Sequence, residues 1–238
     1  MNGLIITSLL VLMACASNAP AETQSIEWEK LNAKVLSLYR QGDYEQAIEV
    51  AKKALKQAEQ AGGLFHPTVA LSMNNLALLH KAKGQYAQAE QLYTFSLMLS
   101  EESRGQDHPS VATTLNNLGA LYDVQGRYAK SEPLYRRALA IKEKALGPDH
   151  LSVALSLNNL AQCYCGQGRY AQAEPLYRRA LSIREKTLGP NHPVVADSLK
   201  GLALLYRQTS RQEAAAALEE RIAAIGDKKR VSPPKQGS

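Results

Sequence analysis

At 238 residues, with 45% hydrophobic and 21% charged, the chain has the composition of a folded protein and not of a disordered or fibrous one. Its net charge of +6 includes a local +3 from Lys228, Lys229, Arg230 and Lys235 against Asp227, and the remainder is spread too thinly to require a nucleic-acid partner. Aromatic content is only 6%, with 11 Tyr, one Trp (Trp28) and two Phe (Phe65 and Phe95), which suits thin stacked helices of Leu and Ala better than one large core.

Residues 1–21 contain no Asp, Glu, Lys or Arg. Within them Leu4 to Ala14 (LIITSLLVLMA) forms an apolar run. It falls well short of the roughly 20 residues that cross a bilayer as a helix, and it has the length of the hydrophobic region of a secretory leader. Two processing sites are readable. Leu12-Met13-Ala14-Cys15 resembles the bacterial lipobox, which implies a lipid on Cys15 and, with Ala16 following, residence at the outer membrane. Ala19-Pro20-Ala21 before Glu22 is a small-x-small site for ordinary cleavage. The expectation is an exported, periplasmic protein, anchored through Cys15. Cys163 and Cys165 lie two apart on one predicted helix, where they face different ways and cannot form a disulfide.

From about residue 25 the chain repeats. His66, His108, His150 and His192 recur at a spacing of 42, and so do Gly42, Gly84, Gly126 and Gly168. Tyr44, Tyr86, Tyr128 and Tyr170 keep the same period, as do the pairs Asn74-Asn75, Asn116-Asn117 and Asn158-Asn159. Each period predicts two helices. From Val153 to Tyr164 the apolar residues follow a three-four spacing, Gly166-Gln167-Gly168 breaks the pattern, and a second amphipathic segment starts at Tyr170. Pro175 lies early in that segment, where a missing N–H is tolerated. Leu188-Gly189-Pro190 ends it, and His192-Pro193 opens the next period.

Leu157, Leu160, Ala161, Tyr164, Gly168, Tyr170, Ala173, Tyr177 and Ala180 together resemble the tetratricopeptide pattern. The 42-residue period, the NNLA segment and the LGPDH ending are similar to the repeats of kinesin light chain. The resemblance implies an all-α, right-handed α-solenoid of five helix-turn-helix repeats, with units at about 25–66, 67–108, 109–150, 151–192 and 193–225. A basic, disordered tail is expected over 226–238. The terminal units depart most from the pattern: Lys34 stands where Leu is usual, and Lys200-Gly201 and Ser210 replace the double Asn and the turn Gly, as suits caps that face water.

In such a solenoid the first helix of each unit lines the concave side, where an extended peptide or partner helix fits. By resemblance, one Asn of each pair (Asn74/Asn75, Asn116/Asn117, Asn158/Asn159) holds the backbone of a bound peptide, since a carboxamide both donates and accepts as a peptide unit does. The other Asn of each pair ties neighbouring repeats together. Lys81, Asp123 and Gln162, with Leu71, Leu78, Thr113, Ala120, Leu155 and Cys165, are the variable neighbours expected to set specificity. Arg136-Arg137 and Arg178-Arg179 belong to second helices and are expected on a solvated convex face, in local pairs with Glu132, Glu143, Glu174 and Glu185. The recurring His residues sit one per unit and cannot meet on a metal, so they read as helix-start devices. No catalytic or phosphate-binding motif is present, and neither a metal nor a cofactor is expected. The reading is a non-enzymatic scaffold for a protein or peptide partner in the cell envelope. Its alternatives are an outer-membrane assembly factor resembling a pilotin or chaperone, and an accessory subunit of an envelope enzyme.

Overall fold

The computed structural model describes residues 21–231, with side chains described for 26–226. The leader with Cys15, and the tail beyond Val231, lie outside the described residues. Ten α-helices occupy the described chain: α1 (Ala21–Gln41), α2 (Tyr44–Gly62), α3 (Pro67–Ala82), α4 (Tyr86–Arg104), α5 (Pro109–Val124), α6 (Tyr128–Leu146), α7 (Leu151–Gly166), α8 (Tyr170–Leu188), α9 (Val195–Gln208) and α10 (Gln212–Val231). None of the described helices is long and apolar enough to cross a membrane. The helices pair into five hairpins that stack as an α-solenoid. Two boundaries differ from the sequence expectation. The first unit starts four residues early, at Ala21. The last helix runs to Val231, so residues 226–231, expected in a disordered tail, are helical: the helix passes through Gly226 at a cost of about 1 kcal/mol, and Lys228, Lys229 and Arg230 beyond it are good helix formers.

The helix starts explain the recurring histidines. His66, His108 and His150 each occupy the N-cap, and their Nδ1 atoms accept from the backbone N–H of Thr68 (3.4 Å), Ser110 (3.1 Å) and Ser152 (3.0 Å). His192 accepts likewise from Val194 N at 3.2 Å. The hairpin turn needs one residue with positive φ. Gly168 supplies it at 73°, and in the degenerate last unit Ser210 adopts the same left-handed conformation at 60°.

Within a hairpin the helices run antiparallel. Trp28, early in α1, packs with Ala54 and Ala58, late in α2, while Val35 and Leu38 pack with Ala47 and Ile48 at the other end. The clusters continue across the seams: Ala77, Ala89 and Tyr93 of the second unit share one core with Leu118, Leu121 and Tyr122 of the third. First helices of successive units touch one another (α1 with α3, α3 with α5, α5 with α7, α7 with α9), whereas successive second helices stay apart. That asymmetry bends the stack and places α3, α5, α7 and α9 on its inner side.

Polar clamps repeat at the seams. Glu90 accepts from Tyr122 Oη (2.8 Å) and from Arg127 (2.9 Å), whose guanidinium stacks 4.6 Å from the Tyr122 ring centre. Glu132, Tyr164 and Arg169 repeat this arrangement, as do Glu174, Tyr206 and Arg211. The Arg211 hydrogen bond is the leading cause that brings the Glu174 carboxyl down to about 2. At the first seam the same positions hold Ile48, His80 and Gln85, and His80 pairs with Gln85 instead (2.6 Å).

A second clamp corrects the expected local pairing of Arg137 and Arg179. Arg137 reaches across the seam to Glu101 (2.6 Å) and to the carbonyl of Gln106 (3.2 Å). Arg179 binds Glu143 and the Pro148 carbonyl, and Arg221 binds Glu185 and the Pro190 carbonyl, in the same way. Arg136–Glu132 and Arg178–Glu174 are the members of the expected set that pair along one helix. The sequence shows the charges recurring, but the reach of an Arg side chain beyond its own helix has no one-dimensional signature.

Two positions test the packing. A Cβ on Gly119 would lie 2.7 Å from the ring of Tyr135, which is fully buried and held by its hydroxyl bond to Asp123 (3.0 Å). Overpacking of this kind costs about 1–3 kcal/mol against roughly 1 kcal/mol gained in helix propensity. Gly119→Ala is therefore expected to lower the urea midpoint without changing the slope. Lys142 is 4% exposed, and among the described residues it has no carboxylate partner; burial alone brings its ammonium down to about 8. At the same position one period later, Arg184 reaches the Val194 carbonyl (3.1 Å) and Ser198 Oγ (2.9 Å). The fold disfavours charged Lys142, so below about pH 8 the charge opposes folding, and the penalty disappears as pH rises from about 8 to the ordinary 10.5. Lys142→Met should raise stability at pH 7 by about 1–3 kcal/mol. Thermal unfolding of the two proteins should converge as pH approaches 10.

Candidate binding groove

The inner side of the stack carries a hollow of about 570 Å³ between the third, fourth and fifth units, with one wall reaching back to α3. Lys81, Asp123, Asn159, Gln162 and Cys165 come from first helices, and Tyr128 closes the side from the start of α6. Tyr128 lies close because α7 continues through Gly166, which the sequence pattern had placed in the helix-breaking turn. A Cβ there would meet the Tyr128 ring at 2.4 Å.

The charged residues differ in how they are held. Lys81 is half-buried and forms no ion pair among the described residues. Burial lowers its ammonium below the ordinary lysine range, and the field of Asp123 partly opposes this. Asp123 is pushed above the ordinary carboxylate range by burial, against hydrogen bonds from Ser131, Tyr135 and Cys163 and the charge of Lys81. Its oxygens are thus occupied by Ser131 and Tyr135, leaving Lys81 as the cation that faces the hollow with its donors open. Cys163 is buried, 3.2 Å from Ser131 Oγ, and accepts from Gln167 (3.3 Å). It is a member of the Asp123 network. Cys165 is half-buried in the groove wall, and burial raises its thiol.

The double asparagines divide by position. Asn74 and Asn116, 5% and 4% exposed, are sealed between units and are not groove residues. Asn74 Oδ1 accepts from Asn117 Nδ2 (3.0 Å), and Asn116 donates to Ser156 Oγ (2.8 Å). Asn158 is partly buried and accepts from Ser198 (3.1 Å), so it too belongs to a seam. The second members are partly buried. Asn75 donates to Asn32 (2.5 Å) and Asn117 to Asn74, which makes a ladder of amides linking the second unit to the first and the third to the second. The ladder stops at the next rung. Among the described residues Asn116 Oδ1 is buried without a donor, and Asn159, the residue that would supply one, lines the hollow instead. Gln162 is exposed in the same hollow. Of the further neighbours, Leu71, Thr113 and Leu155 are exposed, and Leu78 and Ala120 partly buried. Two adjacent residues on a helix point about 100° apart, which makes their division between seam and groove a property of the packing and not of the motif.

Among the described residues no three His, Cys, Asp or Glu side chains gather as a metal-ligand set. The chemistry on offer is hydrogen bonding, one desolvated cation and an aromatic wall.

The sequence matches the family model described as tetratricopeptide repeat at residues 29–97, 82–144, 110–186 and 152–228. The chain belongs to the tetratricopeptide-repeat family. No curated protein matches the sequence. Among solved structures, the tetratricopeptide stack is similar to BtubC (BKLC) from P. vanneervenii, with TM-score 0.76 and 22% identity over 94% of this chain and 88% of that one. It is also similar to the nearly identical TPR-like repeats of a kinesin light chain-type protein from Podosopora anserina, with TM-score 0.70 and 24% identity over 87% of this chain and 97% of that one. The apo form of RapI gives TM-score 0.69 and 15% identity, over 86% of this chain and 72% of that one. At these identities the likeness is one of fold. Tetratricopeptide repeats serve as protein-binding scaffolds, and the groove between the first helices is the concave surface of such a stack.

The two classes of Asn are separable by stability. Asn117→Ala leaves Asn74 Oδ1 without its donor and should cost about 1 kcal/mol in urea unfolding. Asn159 has no side-chain hydrogen bond among the described residues, and Asn159→Ala is expected to leave the midpoint unchanged.

Proposed function

We propose that this chain is an exported, non-enzymatic adaptor that holds an extended segment of a protein partner in the hollow between α3, α5, α7 and α9, and that a lipid on Cys15 tethers it to the outer membrane from the periplasmic side. The observation that carries the reading is the break in the amide ladder. In the hollow, Asn159 and Gln162 line the wall with their carboxamides, and Lys81 stands beside them without an ion pair among the described residues. A peptide backbone in extended form presents alternating N–H and C=O groups that match such carboxamides, and the side walls of Tyr128 and Leu204 accept its side chains. The leader, with its apolar run and its Ala14-Cys15 pair, supports export and anchoring.

The test is a partner captured from the native envelope by the full-length protein, followed by titration of that partner against the double variant Asn159→Ala/Gln162→Ala. Loss of two neutral hydrogen bonds should weaken binding by about tenfold or more, with unfolding unchanged. Unchanged affinity would remove the groove from the mechanism. Intact mass of the N-terminus decides the anchor separately: acylated Cys15 supports the tether, and a chain beginning at Glu22 overturns it.

A further inference from the structure

One edge of the solenoid departs from the repeat. The antiparallel packing of α1 and α2 puts the start of α1 beside the end of α2, as Trp28 against Ala54 and Ala58 requires. The turns that join one hairpin to the next, 63–66, 105–108, 147–150 and 189–192, therefore lie along the edge at which the described chain begins. Three of these turns carry polar or ring residues after the glycine: Gln106-Asp107, Pro148-Asp149 and Pro190-Asn191. The turn nearest the chain entry carries Leu64-Phe65, 43% and 57% exposed, and Phe65 is one of only two phenylalanines in the chain. Leu146 and Val194, beside the later turns, are also exposed. An exposed Leu-Phe pair on a tight turn gives nothing to the core and exposes apolar surface to water.

Position supplies the occupant. Five residues separate Cys15 from the start of α1, and extended they span at most about 20 Å. A lipid on Cys15 would hold the start of α1 within that distance of the bilayer surface, and the first turn of the edge lies one helix spacing from that point. Bulky apolar side chains at a membrane surface settle at the boundary of headgroups and acyl chains. We infer that the Leu64-Phe65 turn is a membrane-contact element: it inserts into the interface of the bilayer to which the chain is tethered and fixes the solenoid edge-on, with the groove opening sideways. The inference rests on the tether reading of the preceding subsection.

The experiment uses the full-length protein reconstituted into vesicles whose acyl chains are brominated, with Phe65→Trp compared against Asp149→Trp. Asp149 occupies the equivalent position two units further along the same edge. Trp28 is buried and contributes the same background to both. Strong quenching with a blue-shifted emission in the Phe65→Trp protein, and little quenching in the Asp149→Trp protein, is the result expected. Quenching in Phe65→Trp no greater than in Asp149→Trp would overturn the inference, whether the turn then proves open to water or covered by a protein. The intact mass of the same sample reports on Cys15 independently. If Cys15 is unmodified the tether reading fails by itself, and the same comparison on added vesicles still decides the turn: quenching selective for the Phe65→Trp protein upholds it, and none removes it.

Discussion

A hairpin of two amphipathic helices has more apolar surface than its own two helices can cover, and everything in this molecule follows from where the remainder is buried. Each hairpin closes its open flank with the first helix of the next, as Tyr93 does beneath Leu118 and Leu121 and as Tyr135 does in the cluster that includes Leu160 and Tyr164. Because first helices approach one another and second helices do not, this closure also curves the stack. The groove is a by-product of the same requirement. Its floor is the set of first-helix residues left over once the seams have taken what they need.

That order of priorities explains the polar groups. The seams recruit Asn74, Asn116 and Asn158, together with Ser156 and Ser198, and Asn75 and Asn117 bridge units as well, which leaves Asn159 for the hollow. The Glu–Tyr–Arg clamps act at the outer ends of the same seams. Each ion pair is partly exposed and contributes little free energy singly. The geometry they impose is specific, since one carboxylate must meet both a hydroxyl and a guanidinium stacked on the ring that bears the hydroxyl.

The period, the helix pairs and the outline of the groove are legible in the sequence because they depend on residue type at fixed intervals. Lys81, Asp123 and Gln162 could be placed in the groove by counting from the asparagines. What counting could not supply was the partner of each polar atom. Arg136 and Arg137 are neighbours in sequence, yet Arg137 pairs with Glu101 of the preceding unit and Arg136 with Glu132 of its own helix. Cys163 reads as a small residue until Ser131, from the preceding unit, is brought against it. Gly166 reads as a breaker until Tyr128 is seen to need its missing Cβ. In each case the deciding atom comes from another unit, far away along the chain, and one-dimensional periodicity does not record it.

The Glu–Tyr–Arg clamp also bears on how such a chain can change in length. Its three members lie on the facing sides of consecutive units, and the third and fourth units each carry both halves: the Tyr and Arg that dock onto the unit before, and the Glu that receives the unit after. A tandem duplication of one whole period inside this stretch would create a seam already furnished with its matching parts, and would lengthen the groove by one rung. The first unit offers Ile48 where Glu would be required and cannot be inserted there without an unmatched Arg. Growth by inheritance is thus permitted in the middle of the molecule and blocked at its entrance.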